Sequence, residues 1–187
     1  MKRKNFLLTL LTAMPSAAFT QMKFNNKLHT NKGFKVESNE ARFGVHFKMK
    51  GVTVNTLDIK ISGKDTDGDL AVFEQTGQTP NGGPPLHIHP FQDEWFYVGE
   101  GEYLFQVGEE KYKMKPGDTI FLSRNVKHAF VQLTSKAETL VSYLPTGKME
   151  EFFAVTDKWI NPPSAEEIHK VFADHEMQVV GPPLKVE

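Results

Sequence analysis

The chain has no cysteine among its 187 residues. Disulfides, thiolate metal sites and a cysteine nucleophile are therefore excluded together. An excess of charge is also missing: 22 Lys and Arg face 23 Asp and Glu, a net charge of −1. Nucleic-acid binders carry a basic stripe or patch, so no nucleic-acid partner is expected. No apolar run approaches the ~20 residues of a spanning helix, so no membrane anchor is expected either. Trp and Tyr are scarce, two and four, against 15 Phe. That balance commits aromatic surface to a core or an apolar pocket. With 39% hydrophobic residues, the composition suits a folded domain, and the length suits one domain with an appendage.

Lys2, Arg3 and Lys4 precede an apolar run from Phe6 to Met14, followed by Pro15, Ser16, Ala17 and Ala18. This charged, apolar and small-residue order reads as a secretory signal over residues 1–20. A buried first helix is the alternative. Removal of that segment takes away three positive charges and leaves a mature chain at −4. The protein is expected to be exported, to a periplasm or the exterior.

Between about residues 34 and 153 short apolar runs alternate with Gly, Pro, Asp and Asn turns. Runs at Leu70 to Phe73, Trp95 to Val98, Tyr103 to Val107, Thr119 to Leu122, Ala129 to Leu133 and Leu140 to Leu144 predict an all-β sandwich or barrel. Val98-Gly99-Glu100-Gly101 reads as a hairpin turn and Pro116-Gly117-Asp118 as another turn. Past Pro162-Pro163, Ser164 and Glu167 form a capping-box signature. Ile168, Val171, Phe172 and His175 then share one helical face. Residues 162–187 are therefore expected to hold a helix and tail packed on the outside of the strands.

One segment, Gly82 to Phe105, carries the chemistry. His87 and His89 are two apart, so on a strand both imidazoles project from one face. Pro90 ends the ladder. Glu94 lies at an odd offset from His89, so a bend over residues 90–93 is needed to bring it to the same face. Two imidazoles and a carboxylate suit one divalent transition metal: Fe, Mn, Ni, Co, Cu or Zn. His128, in the strand-like run Val126 to Leu133, is a fourth candidate ligand. Phe91, Trp95, Phe96, Phe105, Phe130 and Tyr143 lie on or beside these strands and are expected to make an apolar pocket. His29, His46 and His169 have no ligand partner at useful spacing. Asp65, Asp67 and Asp69 around Gly68 lack the distal Glu of a calcium loop and read as a turn.

The pattern His87, Ile88, His89, four residues, Glu94, six residues, Gly101 resembles the first motif of the cupin family. Asn81 occupies the position of that motif's leading glycine. In the second motif Gly117 and His128 match, while Ser123, Asn125 and Gln132 stand for proline, glycine and asparagine. The stretch from about residue 40 to the C-terminus is similar to single-domain cupins of the quercetin-dioxygenase-like group. The resemblance implies a small jelly-roll β-barrel holding one divalent metal through His87, His89, Glu94 and His128. It also implies a small-molecule substrate and a homodimer paired through sheet edges, with residues 34–60 supplying candidate edge strands. Four protein ligands leave two positions of a six-coordinate metal open, which suits a metal-dependent dioxygenase acting on an aromatic or enolic, flavonol-like compound. Glu94 would then also serve as the catalytic base. A non-catalytic binder of a sugar, phenolic or metal is the alternative, and a metal-dependent isomerase a third reading.

Overall fold

Period-two alternation sets the inner face of almost every strand. The computed structural model describes residues 32–49 and 54–186; the expected signal at 1–20, and His29, lie outside them. β1 (His46–Met49), β2 (Asn55–Ile61), β3 (Ala71–Gly77), β5 (Asp93–Glu100), β8 (Thr119–Leu122) and β10 (Ala137–Leu144) form one antiparallel sheet, ordered β1-β2-β3-β10-β5-β8. β4 (Pro85–Ile88), β6 (Tyr103–Val107), β7 (Glu110–Met114), β9 (His128–Gln132) and β11 (Gln178–Pro183) form the other, ordered β11-β4-β9-β6-β7. The two sheets face each other as a jelly roll. β5 shows the pattern: Glu94, Phe96 and Val98 are buried, while Trp95, Tyr97 and Gly99 turn outward.

The core fills the space between the sheets with Phe73, Phe96, Tyr103, Phe105 and Leu122, each almost fully buried. Aromatic edges meet faces there, as for Phe96 and Phe105 at 5.0 Å. Two helices close the barrel. In α1 (Met149–Thr156), Phe153 packs edge-on against Phe73 at 5.0 Å. α2 (Ala165–Asp174) starts with the expected capping box: Glu167 N–H donates to Ser164 Oγ, and Ser164 N–H donates to Glu167 Oε2. It buries Val171 and Phe172.

Three local expectations change. Residues 98–101 do not close a hairpin, because β5 and β6 belong to different sheets. Gly101, at φ +77°, carries the chain from one sheet to the other, and a Cβ there would lie 2.4 Å from the Lys136 carbonyl oxygen. The tail beyond α2 is not only helix and coil; β11 pairs with β4 as an edge strand. And α2 does not merely cover the outside, since Phe172 reaches the ring of His87 at 5.3 Å.

Two substitutions in the motifs have a backbone explanation. Asn81 and Asn125 stand where the pattern has glycine, and both adopt φ +64°. Asparagine is among the few other residues that enter this left-handed region at modest cost. Asn125 N–H donates to the His89 carbonyl at 2.9 Å, and Asn81 N–H to the Gln132 carbonyl at 2.8 Å. The turns flanking the histidine strands therefore keep the conformation a glycine would give.

Candidate metal centre

His87 on β4 and His128 on β9 are directly paired across the ladder. His89 follows β4, with its side chain on the same face as His87. Residues 89–92 then cross to the opposite sheet, where the inward face of β5 includes Glu94. Glu94 thus reaches the histidines from across the barrel, which removes the offset problem without bending one strand.

All four side chains are buried, and one donor atom from each lies within 4.8 Å of the others. Glu94 Oε2 is 3.0 Å from His128 Nε2 and 3.9 Å from His89 Nε2. His87 Nδ1–H donates to the Pro85 carbonyl at 2.8 Å and His128 Nδ1–H to the Val126 carbonyl at 3.0 Å. A carbonyl only accepts, so in both rings the proton sits on Nδ1 and the Nε2 lone pair faces inward. Beside His89, Nδ1 and Gln92 Oε1 are both buried without another partner. Interaction with Gln92 favours the charged form of that ring. Gln92 is itself held by Nε2–H donation to Glu176 at 3.2 Å.

The electrostatics favour neutral His87 and His89 beside an ionised Glu94. Burial, and then the neighbouring His128 and His89, push His87 well below the usual histidine range. Burial brings His89 down to about 4, against the opposing pull of Glu94. Burial alone would raise Glu94, but the neighbouring His128 and His89 outweigh it and lower the carboxyl. Burial, the Glu94 charge and a hydrogen bond to Glu94 push the Tyr143 phenol well above its usual range.

The donor set passes a chemical test for a metal. Glu94 Oε2 and His128 Nε2 are buried and neither has a hydrogen-bond partner. Unpaired buried acceptors are costly, and a divalent cation bound between them would satisfy both. Three imidazoles and one carboxylate suit Mn, Fe, Co, Ni, Cu or Zn.

The cluster opens onto a cavity of about 80 Å³. Phe96, Phe130 and Tyr143 line it as expected. Phe91, by contrast, is 59% exposed, Trp95 faces outward, and Phe105 lies in the core behind the wall. Much of the wall comes instead from Phe152, Phe153, Trp159, Phe172 and Met177 of the C-terminal part. Their only sequence signal was the apolar face of α2 that includes Phe172. The other ionisable groups sit elsewhere. His46 pairs with Asp58 at 2.7 Å, His175 Nδ1–H donates to the Val171 carbonyl at 2.7 Å, and His169 is exposed. Asp65 accepts from Arg42 and so closes a structural turn.

Residues 77–143 match the cupin domain family. No curated protein matches the chain significantly. KdgF from Halomonas sp. shares the fold with a TM-score of 0.52 at 17% identity, over 61% of this chain and 94% of that one. A predicted oxalate decarboxylase from Thermotoga maritima gives 0.52 at 16% identity, over 60% and 99%. The polyketide cyclase RemF from Streptomyces resistomycificus gives 0.50 at 20%, over 62% and 80%. Likeness at these identities concerns architecture, and the neighbours' names span different reactions, so none transfers a reaction to this chain. The matched segment is thus similar to a cupin domain, and the two-sheet jelly roll around the buried His/Glu cluster is the architecture shared with these neighbours.

Proposed function

We propose that the protein is a metal-dependent oxygenase that binds a small aromatic or enolic hydroxyl compound, flavonol-like in class. The observation that carries this reading is the buried Glu94 Oε2 facing His128 Nε2, with His87, His89 and Glu94 lining an aromatic-walled cavity. His87, His89, His128 and Glu94 would hold the metal. The metal, when bound, supplies Lewis acidity toward a hydroxyl ligand and, if redox-active, reactivity toward O₂.

The chain's own residues do the rest. Phe96, Phe130 and Phe172 present flat apolar surface that orients an aromatic ring and excludes water. Glu94, kept ionised, accepts the proton of the substrate hydroxyl. Held on a metal, the carboxylate would be a poorer base, so this role would fall to a carboxylate oxygen free of the metal. The Tyr143 hydroxyl interacts with Glu94 and favours its ionised form.

Oxygen uptake by metal-loaded protein against flavonols and catechols tests the reading. Uptake that depends on the bound metal is expected. No uptake with any of them, at full metal loading, would replace it with a non-catalytic binding function. The same proposal places the protein outside the cytoplasm as a homodimer, on the support of the charged, apolar and small-residue order of residues 1–20 and the candidate edge strand β1. Light scattering at micromolar concentration should give twice the chain mass, and a monomer mass would contradict the dimer.

A further inference from the structure

The cavity has a second polar end. Asn55 on β2 and Gln75 on β3 both line it and are only 6% and 5% exposed. Leu57 is level with Gln75, and Asn55 with Gly77, so the two amides point inward one step apart on neighbouring strands. Asn55 Oδ1 is buried with no hydrogen-bond partner among the described residues. Burying an acceptor unpaired costs its desolvation, whereas a donor brought by a ligand would recover it.

The register fixes how far this end lies from the metal ligands. Tyr143 of β10 is level with Glu94, and Thr139 of β10 is level with Gln75. Four residues of antiparallel strand span about 13 Å, and the two strand spacings from β5 to β3 add about 10 Å across them. Less the reach of the two side chains, that separation fits a molecule of two linked ring systems. Phe96 and Phe130 supply the apolar wall between the two ends.

We propose that Asn55 and Gln75 are specificity-determining residues that hydrogen-bond a hydroxyl at the remote end of a phenolic ligand of two linked ring systems, whose enolic end lies at Glu94. The inference rests on the substrate class proposed above. It names what the unpaired Asn55 Oδ1 requires: a donor, not merely an aromatic edge. A site built around a ligand hydroxyl discriminates strongly against the analogue that lacks it, because its own polar groups are then stranded.

Anaerobic calorimetric titration of metal-loaded protein with 3-hydroxyflavone and 3,4′-dihydroxyflavone tests this without turnover. The wild type should bind the dihydroxy compound at least ~10-fold more tightly. Asn55→Leu and Gln75→Met should each reduce that preference to less than ~3-fold while keeping the affinity for 3-hydroxyflavone. Equal affinities in the wild type would overturn the inference whether or not either variant folds, and so would a preference retained in both variants. A preference that is present and lost in the variants, alongside no oxygen uptake, would uphold the inference and overturn the oxygenase reading alone.

Discussion

Acidifying the metal-free protein should unfold it through the histidines of the site. His87 and His89 are held neutral chiefly by burial, and His89 falls from an ordinary 6.5 to about 4 in the fold. The unfolded chain takes up these protons once the pH drops below 6.5, whereas the folded chain resists until about 4. The unfolded state therefore binds more protons across that window. Stability is fully present above it and is lost as the pH falls. At about pH 5 the loss from His89 alone is the 1.5 units below its ordinary value at ~1.36 kcal/mol each, or ~2 kcal/mol. His87 adds to it in the same direction. Glu94, whose carboxyl is lowered, gives up its contribution only below its ordinary 4.5 and does not offset the loss. Urea unfolding in the presence of a chelator measures the effect. With a slope of ~2 kcal/mol per molar, the midpoint should drop by ~1 M or more between about pH 7 and pH 5. A flat midpoint would refute the reasoning, as would an equally large drop between pH 7 and pH 5 in His89→Gln.

Other outcomes follow from the same geometry. Glu94→Gln keeps the shape but cannot accept a proton, so metal content should stay near wild type while turnover falls ~100-fold or more; equal losses of metal and turnover would leave Glu94 a ligand only. Gly147, at φ +53°, would place a Cβ 2.0 Å from Gln92 Nε2. Gly147→Ala should therefore displace the partner of His89, lowering metal affinity ~10-fold in a competitive chelator titration, and thermal unfolding should show a loss of ~1–2 kcal/mol. Phe153→Ala removes the ring against Phe73 and should cost ~3–5 kcal/mol. In a chain of this size that is a fall of roughly 10 °C in melting temperature, readable by circular dichroism.

The strands and the convergence of four side chains were legible because both depend on short-range rules. Alternation fixes which side chains share a face, and His87 and His89 at spacing two must share one. Sheet membership is a long-range property that alternation does not encode. The Gly99-Glu100-Gly101 turn serves a hairpin or a crossing equally well, and here the contact of Gly101 with Lys136 makes it a crossing. Glu94 likewise reaches the site from the facing sheet. β11 contains Gly181, Pro182 and Pro183, a poor strand signal that an edge position tolerates. α1 has no side-chain cap at Lys148 to announce it and spans only eight residues. Its Phe152 and Phe153 therefore escaped notice as pocket wall, whereas Phe91, beside the ligands in sequence, turned out to face solvent.

The central claim is that His87, His89, Glu94 and His128 hold one divalent transition metal, and elemental analysis of the protein from its native compartment tests it most directly. One metal ion per chain is expected, with a sharp loss in each of His87→Ala, His89→Ala and His128→Ala, because each removes a donor from the cluster. Full metal content and unchanged thermal stability in any two of these variants would contradict it.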